Sequence, residues 1–246
     1  MSRFSCQVGL KHYGRNPSDS LKLRAAEFLI VNMPDKESRY YDAPLENVAS
    51  ALLRWTSSSD KQLIRDAYGL GELIVREDVK YITDDYLIEN IELAFKVWQE
   101  QPWGKYISFD TFCEDILPYR VSTEPLENWR AKALASFHDL NLSFRKQPDI
   151  SAVEACTQLN RLLPQFRIDK DFMPMSYSML MATTRNTCNG IAAVTIFAMR
   201  ALGIPVIQDY TPLYPYSNVL MELQFVSQSV VVLRPIVKFP SSRWVN

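Results

Sequence analysis

Apolar positions recur along this chain at helical spacing for its first two thirds, then give way to short β-type runs. Leu21, Ala25, Phe28 and Leu29 fall on one face of a helix that starts at Ser20 and stops before Pro34. Val48, Leu52 and Trp55 mark a shorter helix after Pro44, and Asp60 caps a segment Lys61 to Tyr68 that ends at Gly69 and Gly71. The strongest stripe is Leu87, Ile91, Ala94, Phe95 and Trp98, opened by Thr83 and Asp84 and broken at Gln101-Pro102-Trp103-Gly104. Further helices are predicted over Asp110 to Leu117 and over Leu126 to Leu142. After Arg145-Lys146-Gln147-Pro148-Asp149, Ser151 and Glu154 have the spacing of a capping box ahead of another apolar helix.

Asn186 to Leu202 reads as a helix with Ile191, Val194, Ala198 and Leu202 along one side, capped by Gly203 and stopped by Pro205. Strands are predicted at Val206 to Tyr210, Val219 to Val226, Ser229 to Leu233 and Ile236 to Phe239, with Ser227-Gln228 joining the second strand to the third. The fold class is therefore α+β: a mostly helical region over 1–147, then a mixed core over 148–246.

Composition narrows the function more by exclusion than by suggestion. A net charge of −1, with no long basic block, gives neither nucleic acid nor an anionic membrane surface anything to bind. No run approaches the ~18 apolar residues of a membrane span, and the N-terminal residues carry no signal-like stretch, so a cytoplasmic protein is expected. The cysteines Cys6, Cys113, Cys156 and Cys188 are too scattered for a zinc ribbon or a disulfide scaffold. With only His12 and His138 beside them, neither a metal nor another cofactor is expected.

Cys188 is the candidate catalytic residue. It follows the polar run Thr184-Arg185-Asn186-Thr187 and opens an apolar helix. Free N–H groups and the positive end of the helix dipole favour a thiolate there, the form in which cysteine is a nucleophile. The alternative reading of a lone cysteine near a helix start is a small, partly buried hydrophobe.

The segments Ser176-Tyr177-Ser178-Met179-Leu180-Met181, Asn186-Thr187-Cys188 and Arg200-Ala201-Leu202-Gly203-Ile204-Pro205 resemble the transglutaminase-like superfamily. Ile116-Leu117-Pro118-Tyr119-Arg120, Glu124 to Arg130 and Asp209-Tyr210-Thr211-Pro212 look more narrowly like a group of uncharacterised transglutaminase-like proteins of Bacteroidetes. The resemblance spans roughly Leu21 to Pro215. It implies a papain-like α+β core behind a helical region, with a central cysteine-bearing helix and antiparallel strands. It further implies export for many members, and acyl transfer or peptide hydrolysis by a Cys-His-Asp site with Cys188 as nucleophile.

The same comparison implies a histidine on the strand after Pro205, in an H-x-W setting, and an aspartate on the next. No histidine lies between Cys188 and Asn246, and no aspartate follows Asp209. Asn186 stands where the family has a glycine, and from Ser217 onward the chain departs from the pattern, so the core is expected to be incomplete at its C-terminal end. His138 is the one histidine left as a substitute base. Its neighbours Ala133, Leu134, Phe137 and Leu142 give it a structural or surface reading instead. Trp55, Trp98, Trp103 and Trp129 read as core aromatics, and Glu114-Asp115 as surface.

Three functions follow: a transglutaminase- or cysteine-protease-like protein with an incomplete site, an active thiol enzyme borrowing its base, or a non-enzymatic module binding a peptide or glycan. The oligomeric state is open.

Overall fold

The computed structural model describes residues 12–41, 43–44, 47–48, 50–51, 66–164, 167–168, 175–183, 185–211, 220–225 and 231–233. Leu52, Trp55, Asp60, the start of the predicted 61–68 helix, the Ser227-Gln228 turn and the strand at Ile236 to Phe239 lie outside them.

The molecule mixes helices with small sheets. Helix α1 (Ser20–Val31) precedes β1 (Glu37–Tyr41), which pairs antiparallel with β2 (Leu73–Glu77). Helix α2 (Asp84–Glu100) begins as its sequence dictates: Thr83 accepts a hydrogen bond from the Tyr86 amide at 3.3 Å, and Asp84 and Asp85 occupy the first turn. Its stripe of Leu87, Ile91, Ala94 and Phe95 is buried against Ala25, Ala26 and Leu29 of α1.

Two predicted helices are corrected. Asp110 to Leu117 is a single α-turn (Phe109–Thr111) running into a π-helix (Phe112–Ile116). Carbonyls at its end are claimed from outside the helix: Ile116 O by Arg130 and Leu117 O by Asn90, at 2.8 and 2.9 Å. The long helix from Leu126 begins later and breaks at Phe137, giving α3 (Trp129–Ser136) and α4 (His138–Arg145).

Beyond the turn at Gln147, α5 (Ala152–Leu162) opens with the capping box in full, Ser151 and Glu154 each bonding the other's amide. Two-residue β3 (Arg167–Ile168) pairs in parallel with β4 (Arg185–Asn186), on either side of α6 (Tyr177–Ala182). Helix α7 (Cys188–Ala201) then enters the interior, and Ile191 to Ala201 are all buried. It starts later than its sequence suggested, because Asn186 belongs to β4 and Thr187 is the cap. The chain ends in an antiparallel sheet, β5 (Val206–Thr211), β6 (Leu220–Phe225) and β7 (Val231–Leu233), in that spatial order.

Helix α7 packs against α2, α3, α5, α6, β5 and β6. Residues from both sides of Gln147 share its core: Trp103, Phe137 and Phe144 with Cys156, Ile196 and Met199, and Trp129 with Phe197. No helix among the described residues is long and apolar enough to cross a membrane.

Candidate functional site

The candidate site is the first turn of α7. Thr187, in extended backbone conformation, accepts a hydrogen bond from the Gly190 amide at 3.1 Å, and its carbonyl takes the Ile191 amide. Cys188 and Asn189 are thus the first two helical residues, whose N–H groups have no partner within the helix. Among the described residues neither amide has an acceptor elsewhere. Cys188 is partly exposed, and its thiol lies 3.6 Å from Oδ1 of the exposed Asn189.

Asn186 fixes the back of the turn. It is fully buried. Its Oδ1 accepts from the Thr187 amide at 3.0 Å, which folds the side chain onto the helix start. A Cβ on Gly190 would come within 1.7 Å of that oxygen, so only glycine at 190 lets the amide lie there. The other end of the amide, Nδ2, is buried with no acceptor. An unmet buried donor costs about 1–3 kcal/mol.

The other cysteines differ in environment. Burial pushes the Cys113 and Cys156 thiols up to about 12, Cys156 lying 3.8 Å from Met199 Sδ. Cys113 borders a hollow of about 320 Å³ between α1 and the π-helix, away from α7.

No base reaches Cys188 among the described residues. His138 is exposed at the start of α4, and His12 stands edge-on to Tyr13 at 4.8 Å. The strand after the Ile204-Pro205 strand is β6, Leu220-Met221-Glu222-Leu223-Gln224-Phe225, which has no histidine. Asp209 lies on β5 opposite Glu222. No described group of His, Cys, Asp and Glu has metal-holding geometry.

The remaining motif residues meet at the opposite end of α7, and what they make is structural. Arg200 donates to the carbonyls of Asp115 and Arg120, both at 3.0 Å. Arg130 donates to Arg200 O and Ile116 O, both at 2.8 Å, and to Asn90 Oδ1 at 3.0 Å. Trp129 Nε1 donates to Tyr119 O, and Glu124 receives the Val121 and Ser122 amides. Arg120 and Asp78 form a buried ion pair at 2.5 Å. Gly203, at φ 73°, closes the helix against Val97, and Trp103 Nε1 donates to its carbonyl at 2.7 Å.

Asp115 corrects the surface reading of Glu114-Asp115: Glu114 is exposed, but Asp115 is buried. Burial raises its carboxyl to about 6, against the opposing pull of Arg200. Its main chain meets Arg200, which lies twelve residues along α7 from Cys188 (200 − 188), roughly 18 Å at 1.5 Å per residue, so Asp115 cannot orient a base there. Sequence reasoning also passed over Asn186 as a side chain; the apolar helix that opens two residues later, at Cys188, was the available signal that it would be buried.

Comparison with known proteins returned no match: no family model, no curated protein and no solved structure.

Proposed function

We propose that this chain is a transglutaminase- or cysteine-protease-like protein whose Cys-His-Asp site is incomplete, with Cys188 in the nucleophile's place on a papain-like core. The observation that carries the reading is the position of Cys188: a partly exposed thiol at the first helical residue of a buried central helix that hands over to an antiparallel sheet. Support for the missing half is that β6 carries no histidine and neither described histidine bonds the thiol. A site of this kind can be acylated, because the free amides of the turn stabilise the anion that attacks and the oxyanion that forms. It does not turn over, because a positioned general base is worth ~10²–10⁴-fold and none is in place. In the protein's own setting the turn then serves to bind a peptide-like ligand.

The test is a burst assay with p-nitrophenyl acetate. The thiolate attacks the acetyl carbonyl, the S–C bond forms, and p-nitrophenolate leaves. One equivalent released per chain, lost in Cys188→Ala, is the expected result. Steady release far beyond one equivalent shows a working base and overturns the incomplete-site reading; no burst at Cys188 in the folded protein overturns its role as nucleophile.

A further inference from the structure

The hollow beside Cys113 has the build of a ligand site. Its volume of about 320 Å³ lies at the small end of such pockets, which run from roughly 300 to 1,000 Å³. Two short stretches line it: residues 24–32, on and just after α1, and residues 109–114, where the α-turn runs into the π-helix. The first is about 12 Å long at 1.5 Å per residue, so the hollow is a pit and not a channel.

The π-helix shapes one side of the pit. Phe112 packs inward against Phe95 and Trp98, with ring centroids 4.8 and 4.4 Å apart, and Cys113 after it borders the opening. Single π-turns of this kind recur at functional sites. The apolar walls come from Phe28 and Phe109, both half-buried, and from Val31, which is 75% exposed.

The polar part of the lining is mostly acidic. Glu27, Asp110 and Glu114 are exposed, and among the described residues none of them is in an ion pair. Arg24 is the one cation of the lining, and it lies over the Phe109 ring, 4.7 Å from its centroid. The lining charge is therefore one positive against three negative. The same balance is felt at Cys113: burial and then Asp110 raise its thiol, and Arg24 opposes them.

We propose that this pit binds a small organic cation, a protonated amine on an apolar body, with the body against Phe28, Val31 and Phe109 and the ammonium among Glu27, Asp110 and Glu114. Charge complementarity selects the ligand. An anion meets the excess of carboxylates, and a neutral apolar molecule leaves them without a counter-charge. A bare metal ion finds no set of ligands, because no described group of His, Cys, Asp and Glu has metal-holding geometry. A cation over Phe109 is already tolerated in the form of Arg24, and aromatic faces attract such charges. The proposal is independent of the chemistry assigned to Cys188.

The experiment is a titration of the full ¹⁵N-labelled chain with benzylamine, benzyl alcohol and phenylacetate at neutral pH and constant ionic strength. The three probes share one body and carry a positive, a neutral and a negative group. The amides of Phe28, Val31 and Cys113 report on the pit, as does the Trp98 indole, whose ring stands 6.2 Å from Phe109. Saturable shifts of these signals with benzylamine are expected, with binding about tenfold weaker for benzyl alcohol and none for phenylacetate. Glu27→Gln combined with Glu114→Gln keeps the shape and should lower benzylamine affinity about tenfold while leaving benzyl alcohol unchanged. Val31→Lys, at a position too exposed to disturb the fold, sets a cation on the wall and should abolish the benzylamine response. Equal affinity for amine and alcohol, shifts that do not saturate, or a response that survives in both sets of variants overturns the proposal. Cys188→Ala should leave every one of these shifts in place; their loss in that variant would overturn this site, whereas a failed burst at Cys188 would not touch it.

Discussion

Arg130 donates from its guanidinium to the main-chain oxygen of Arg200 at 2.8 Å, and neither arginine has a carboxylate in ion-pair contact among the described residues. Burial pulls both below the ordinary arginine range, Arg130 to about 9 and Arg200 to about 10. Their charge is balanced by main-chain oxygens, so the loss of either strands several buried acceptors at once. Arg130→Met should lower the unfolding free energy by about 3 kcal/mol in a urea titration, and Arg130→Lys, which cannot reach Ile116, Asn90 and Arg200 together, should recover only part of it. A loss under about 1 kcal/mol for the Met variant would show that this carbonyl cage around Arg130 and Arg200 does not hold the fold together.

Asp115 gives a pH dependence of definite sign. Its carboxyl is raised from 3.8 to about 6, so the fold prefers the protonated form. That contribution to stability is complete below about pH 4 and is lost as pH rises through 6. Asp115→Asn should therefore be more stable than wild type at pH 7, by on the order of 2 kcal/mol, with the advantage vanishing near pH 4. Denaturant midpoints of the two proteins across that range decide it; a constant difference would show that Asp115 does not titrate between them.

Gly190 and Asn186 make a steric pair. Gly190→Ala drives a methyl into Asn186 Oδ1 and should cost about 2 kcal/mol despite alanine's better helix propensity. The double variant Asn186→Ala with Gly190→Ala should regain most of that loss, since the clashing amide is gone. A thermodynamic cycle with no coupling energy would mean that the two residues are independent.

The described thiols differ in what they do under native conditions. Iodoacetamide at pH 8 should label Cys188 and leave Cys113 and Cys156, whose buried thiols stay protonated, untouched until the protein unfolds. Cys188→Ala should change stability by less than about 0.5 kcal/mol, whereas Cys156→Ser, which sets a hydroxyl against Met199, should cost about 1–3 kcal/mol. Peptide mass mapping and urea melts read these outcomes.

How far the sequence reveals all this depends on which force shapes each element. Thr83, Ser151 and Gly203 act through local geometry, and each caps its helix where its residue type says. The α7 helix is equally plain from its apolar run, though its start shifts to Cys188. The π-helix and the break at Phe137 depend on partners far along the chain, and no spacing announces them. The buried charges are the least legible. Asp78, Asp115, Arg130 and Arg200 look like surface residues in sequence because charge is read as solvation. Cys188 was found by its place before a helix; Asn186 was missed because its significance lies in an atom left without a partner.

The carbonyl cage also orders events in time. Arg130 reaches across 70 residues to Arg200, and Arg200 across 85 to Asp115 and 80 to Arg120. Closing loops of that length comes late, after local helices form. The far end of the Cys188 helix is thus dry and tied to segments distant in sequence, while the end that bears the thiol is partly open to solvent.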